Sequence, residues 1–295
     1  MARTSTEGKV PFKGHSTWYR RTGKCEPGKY PLLLLHGGPG ACHNYLESME
    51  DIADFGREVI FYDQLGCGNS TIPSNPDLWS AKLFEEEIDV MRKALGLEKV
   101  HILGQSWGGM LLMQYAISRP KGIISMVVAS SPASMDLWLS EANRLIDWLP
   151  PEMAGALKKA DASGDYTSPD YKAAYAEYYR RHVCNLDPYP DFVSASFDNM
   201  GEPYYVMQGN SEFVVTGKLK GWDVTGDLHK ITIPTLLTSG VMDEATPLIV
   251  KTIYDRIPDC EWALIMGTHL VHVEQRDEYN RIVEEFLSRK EKELS

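Results

Sequence analysis

Five short, mostly apolar runs punctuate the chain, each closed by glycine, proline or polar turn residues: Pro31–Leu35, Glu58–Asp63, Val100–Leu103, Ile123–Ala129 and Thr235–Ser239. Runs that do not alternate in and out predict strands buried on both faces, the signature of a parallel sheet. A further run, Trp262–Met266, predicts the last strand. Between these runs, Phe84–Leu95 repeats Ile88, Met91 and Leu95 at helical spacing, and Met110–Ile117 is apolar for long enough to form a buried helix. Strands and helices in alternation predict an α/β fold with a mostly parallel, doubly wound sheet.

The rhythm breaks between about residues 134 and 230. Aromatic and polar residues mix there (Trp138, Trp148, Tyr171, Tyr175, Tyr178, Tyr179), with helical patterns and turn clusters such as Ser163-Gly164-Asp165 but no strand-like run. Strand–helix order resumes at Ile231. The expected organisation is a sheet domain over 1–133 and 230–295, split by a helical cap over 134–229. A chain of 295 residues suits one large core carrying such an insertion.

Composition narrows the partners. The 43% hydrophobic and 24% charged residues are ordinary for a soluble globular protein. A formal net charge of −11 repels phosphate backbones and anionic lipid, so nucleic acid and membrane surfaces are not expected partners. A small molecule is, with a monomer or small homo-oligomer as the assembly. The five cysteines are scattered and odd in number, with no C-x-x-C pair, so neither a disulfide framework nor a zinc site is indicated. The first ten residues lack an apolar signal core, and no apolar run approaches the ~20 residues of a membrane span. A reducing cytoplasm is the expected location.

The chemistry is concentrated in three places. Gly104-Gln105-Ser106-Trp107-Gly108 directly follows an apolar strand and precedes an apolar helix, the context a nucleophile elbow requires, so Ser106 is the candidate nucleophile. Two N–H donors must face the oxyanion that forms on attack. The candidates are the backbone of Trp107, next after the serine, and Gly38 in the loop His36-Gly37-Gly38-Pro39-Gly40, where His36 reads as structural. In this arrangement acid and base follow in that order. Asp243 ends the Thr235–Ser239 strand region, with Glu244 as its competitor; His269 follows the last strand, with His272 as its rival. Together they make a Ser–His–Asp triad for acyl transfer to water, which needs no metal or organic cofactor. A carboxylate-nucleophile hydrolase is excluded by Ser106; an esterase, a lactonase or a hydrolase-like receptor remain alternatives.

These residues, and longer segments around them, resemble the proline iminopeptidases of the α/β-hydrolase superfamily, most strongly the archaeal tricorn-interacting aminopeptidase. The resemblance is carried by HGGPG at 36–40, FYDQLGCGNS at 61–70, GQSWGG at 104–109, NRLIDWLP at 143–150, GNSEFVVTG at 209–217, GWDVTGDL at 221–228, MDEATP at 242–247 and THLVHVE at 268–274. L-amino acid amidases are similar as well. The resemblance implies an exopeptidase that releases an N-terminal residue, proline or another small or apolar one, from short peptides or amides. It implies that Glu212 and Glu244 receive the substrate's free α-amine, a role charge-assisted hydrogen bonds suit. Leu65 stands where the family often has arginine, and Thr268 where serine is common.

Overall fold

The structure, a computed structural model, describes residues 3–294. Eight strands form one sheet: β1 (Ser5–Phe12), β2 (His15–Thr22), β3 (Leu32–Leu35), β4 (Val59–Tyr62), β5 (Val100–Gln105), β6 (Ile123–Ala129), β7 (Thr235–Gly240) and β8 (Cys260–Ile265). Their order across the sheet is β1-β2-β4-β3-β5-β6-β7-β8. All neighbours from β4 to β8 are parallel, while β1–β2 and β2–β4 are antiparallel. The expected mostly parallel sheet is therefore present, with the predicted strand ends displaced by one or two residues.

The leading hairpin, β1 with β2, lies outside the sequence reading. Its first strand is solvated along most of its length, with only Val10 and Phe12 buried, so it lacks a continuous apolar run. Its signal is the two-residue loop Lys13-Gly14, both at positive φ (47° and 83°), which turns the chain as a tight hairpin.

Strand periodicity distributes the central residues to two cores. Leu33 and Leu35 of β3 face one side, beneath helices Ala81–Ala94, Trp107–Ile117 and Pro247–Tyr254. Leu32 and Leu34 face the other, against the 3-10 segment His43–Phe55 and the last helix, Arg276–Lys292. That last helix is fastened by Arg57, fully buried, which donates to Glu284 at 2.8 Å and to Glu291 at 2.6 Å.

Between β6 and β7 the described chain forms helices and turns: Met135–Ile146, Pro151–Ser163, Pro169–His182, Asp191–Phe197 and Glu202–Met207, then a 3-10 turn over Thr225–Lys230. Much of this segment packs on itself, burying Leu145, Leu157, Tyr178 and Phe213 together. Among the described residues no helix is long and apolar enough to cross a membrane.

Candidate active site

Ser106 occupies the junction between β5 and helix Trp107–Ile117 with φ 57° and ψ −122°, a conformation that costs a non-glycine residue about 1–3 kcal/mol. The surroundings hold it there. Ser106 N–H donates to Ala129 O at 2.9 Å, and the Ser131 hydroxyl lies 2.8 Å from the Ser106 carbonyl. The glycines on either side permit the tight turn: a Cβ at Gly104 would sit 2.2 Å from Gly108 O, and one at Gly108 would sit 2.1 Å from Leu35 O. The strand–turn–helix arrangement read from the sequence is thus what the chain adopts, the helix beginning at Trp107 rather than Met110.

The glycine loop after β3 runs beside this turn. Gly37 N–H donates to the Tyr45 hydroxyl at 2.6 Å, and that hydroxyl donates in turn to Gln105 Oε1 at 2.6 Å. Gly37 is thereby committed, and Gly38, at φ 115°, is the next amide along the wall of the cavity. Trp107 N–H is the first of its helix and has no carbonyl a turn earlier to receive it. His36 is fixed as a neutral tautomer: Nδ1–H donates to Gly37 O, Nε2 accepts from Gln64 N–H (both 2.9 Å), and burial pushes its pKa down to about 4. Gln64 then accepts from the Trp107 indole at 3.0 Å, tying loop to elbow.

Asp243 and His269 come together. His269 Nδ1 lies 2.8 Å from Asp243 Oδ1, which also accepts from Ala245 N–H at 2.7 Å. Burial acts to lower the pKa of His269, but the charge and hydrogen bond of Asp243, aided by Glu244 and Glu212, overcome it and raise the value to about 9. His272 is elsewhere. It is buried, not on the surface, and donates from Nε2 to Tyr45 O at 3.1 Å, with its pKa pushed down to about 3 by burial.

Ser106, His269, Gly38, Glu212 and Glu244 all line a single cavity of about 540 Å³. Much of its remaining wall is aromatic, with Tyr171, Tyr175, Tyr179, Tyr204 and Phe197 from the helical segment, and among the described residues no lysine or arginine lines it. Glu212 accepts from the Tyr204 hydroxyl at 2.7 Å. Glu244 does not turn away from the site: its Oε1 lies 3.8 Å from His269 Nε2, on the side opposite Asp243. Its Oε2 is buried, and the Tyr178 hydroxyl beside it favours the charged carboxylate. Burial raises the pKa of both glutamates, and for Glu244 the charges of Glu212 and Asp243 push the same way while His269 pulls against them.

Three supporting groups had no signature in the sequence. Tyr45 comes from a polar 3-10 segment, Tyr204 is one of fifteen tyrosines, and the backbone carbonyl of His182 accepts from both Glu244 N–H (3.1 Å) and His269 N–H (3.0 Å). No residue type announces such a carbonyl. Among the described residues no group of three or more His, Cys, Asp and Glu side chains is placed to hold a metal ion.

Comparison with known proteins places this geometry in context. Residues 30–275 match the family model described as the alpha/beta hydrolase fold. The chain is 42% identical over 288 residues to a proline iminopeptidase of Clostridium botulinum, covering 96% of this chain and 98% of that protein. The crystal structure of a proline iminopeptidase from Mycobacterium smegmatis superposes with a TM-score of 0.93 at 40% identity, over 98% of this chain and 100% of that one. The structure of VinJ superposes equally, with a TM-score of 0.93 at 39% identity over 96% and 98% of the two chains.

Proposed function

This chain belongs to the α/β-hydrolase fold family, among its proline iminopeptidases, and from that we propose that it is a serine aminopeptidase removing an N-terminal residue from short peptides or amino-acid amides. In this reading His269 Nε2 takes the proton of Ser106 Oγ as the oxygen attacks the acyl carbon. The oxyanion is met by the N–H groups of Trp107 and Gly38, each worth about 3 kcal/mol of barrier where such donors have been removed. Asp243 holds the imidazole tautomer through Nδ1 and stabilises the imidazolium. The proton passes from His269 to the leaving amine, that bond breaks, and water repeats the sequence on the acyl-enzyme. Residues 134–229 serve as the cap over the site.

The observation that carries the amine specificity is the pair Glu212, half-buried, and Glu244, buried, at the cavity wall beside His269, where no lysine or arginine among the described residues neutralises them. An α-ammonium group answers both carboxylates with charge-assisted hydrogen bonds, whereas an acylated terminus leaves them unpaired. The test is hydrolysis of prolyl, alanyl and leucyl 4-nitroanilides beside their N-acetyl forms. The free amines are expected to be cleaved and the acetylated ones not; equal turnover would refute the assignment. Ser106→Ala is expected to abolish cleavage with folding intact.

A further inference from the structure

The same cluster has a consequence for the base itself. His269 is held between carboxylates, Asp243 at Nδ1 (2.8 Å) and Glu244 Oε1 on the Nε2 side (3.8 Å). The spacing is built in, because the amides of Glu244 and His269 donate to one and the same acceptor, the His182 carbonyl. The other titratable groups around the imidazole add no positive charge. Glu212 and Tyr204 come from the helical segment, Tyr178 from helix Pro169–His182, and His272, kept neutral by burial, from below; His182 spends its Nδ1 on Met242 O. Trp138 packs its ring edgewise on His269 at 6.2 Å.

Two buried carboxylates, Asp243 and Glu244, and the half-buried Glu212 thus surround one group able to become a cation. We propose that in the empty site His269 is an imidazolium paired with Glu244, and that the substrate's own ammonium group, on entering between Glu212 and Glu244, takes over that pairing and releases the base. The exchange is balanced: one ammonium enters, one proton leaves Nε2 for solvent, and the cluster's charge is unchanged. The imidazole rather than Glu244 holds the proton because its intrinsic basicity is the higher of the two and Asp243 stabilises its charged form at Nδ1, which offsets the burial that raises the pKa of Glu244. A substrate without an ammonium group therefore meets a protonated base. It is disfavoured in the chemical step as well as in binding. This inference rests on the amine-binding role of Glu212 and Glu244 proposed above.

The experiment compares two pH profiles of the wild-type enzyme on prolyl 4-nitroanilide, since kcat/KM reports the free enzyme and kcat the substrate complex. With free-enzyme His269 titrating at about 9 and the substrate's α-amine at about 8, kcat/KM is expected to be a bell with its acid limb at about 8, and the acid limb of kcat is expected roughly one to two units lower. With 4-nitrophenyl acetate, which carries no amine, both limbs are expected to stay high. Glu244→Gln is expected to lower the kcat/KM limb for the acetate ester by a unit or more, which a merely structural glutamate would not do. Coincident limbs for the prolyl substrate, with N-acetyl substrates still rejected, overturn the proton exchange and leave the amine-binding role standing. Equal cleavage of acetylated substrates overturns both.

Discussion

Replacing Tyr45 by phenylalanine isolates one oxygen atom on which the site is braced. The ring itself remains, with its edge contacts to His272 (5.7 Å) and its neighbour Phe197 (6.3 Å), so no appreciable cavity opens. What disappears is a hydroxyl that receives Gly37 N–H and donates to Gln105 Oε1, both at 2.6 Å, in a side chain only 2% exposed. Each buried group left without a partner costs about 1–3 kcal/mol. Gln105 can reorient, as its Nε2 contact to the His269 carbonyl is long at 3.4 Å, so the sum should fall near 2–4 kcal/mol. Urea unfolding should show this as a lower midpoint with an unchanged slope. Gly37 precedes the proposed oxyanion donor Gly38. Loosening the loop should therefore cost about tenfold in kcat, less than the 10²–10³ of losing a donor outright. Stability within ~0.5 kcal/mol of wild type and kcat within about twofold would show that the bonds through this hydroxyl brace nothing.

Other substitutions test separate steps. Ser106→Gly should be inactive yet about 1 kcal/mol more stable than Ser106→Ala, because glycine tolerates φ 57° without the strain; equal melting of the two variants would contradict that. Arg57→Met should destabilise by about 3 kcal/mol by removing the buried guanidinium shared by Glu284 and Glu291, which retain Lys29 and His101 respectively. The pH signature follows from Glu291: burial opposes ionisation, but bonds from His101 and Arg57 depress its pKa to about 2 from the usual 4.5. A depressed folded-state value gives stability that is complete above 4.5 and lost as pH falls towards 2, so the variant should unfold at a higher pH in an acid titration. His272→Leu should cost about 1–2 kcal/mol for the bond lost to Tyr45 O yet leave the acid limb of kcat/KM in place; a shift of that limb would make His272 a participant in the chemistry.

The fold was legible wherever strands are buried on both faces. β3, β4 and β5 have no exposed residue, and their continuous apolar runs allow no other reading. β1 was not legible: Ser5-Thr6-Glu7-Gly8-Lys9 carries no apolar signal, and only the Lys13-Gly14 turn betrays the hairpin. The glycine–serine–glycine turn was legible because its geometry needs glycines at fixed offsets, which the contacts of Gly104 and Gly108 explain. Glu244 was legible by position but not by direction. Its neighbour Asp243 takes Nδ1 of His269, and only the folded chain places Glu244 across the same ring. The net charge of −11 could not locate it, because most of those carboxylates are at least partly solvated and Glu244 is not.

Adjacency of Asp243 and Glu244 means that the group orienting the imidazole and the group facing its far side ride on one turn. Neither can move without the other. The His182 carbonyl, from the end of a helix in the inserted segment, then clamps that turn and the His269 loop together, while Leu270 N–H is held by Val183 O at 2.8 Å. The insertion therefore sets the distance between a buried acid and a histidine whose own supports are strands of the sheet, as well as shaping the cavity. Gly201 N–H on Gly40 O (2.7 Å) fastens its other flank to the glycine loop. A change in the insertion that relaxes either anchor should thus alter the pH dependence of turnover along with substrate preference, because the proposed recognition of the amine and the proposed base depend on the same few ångströms.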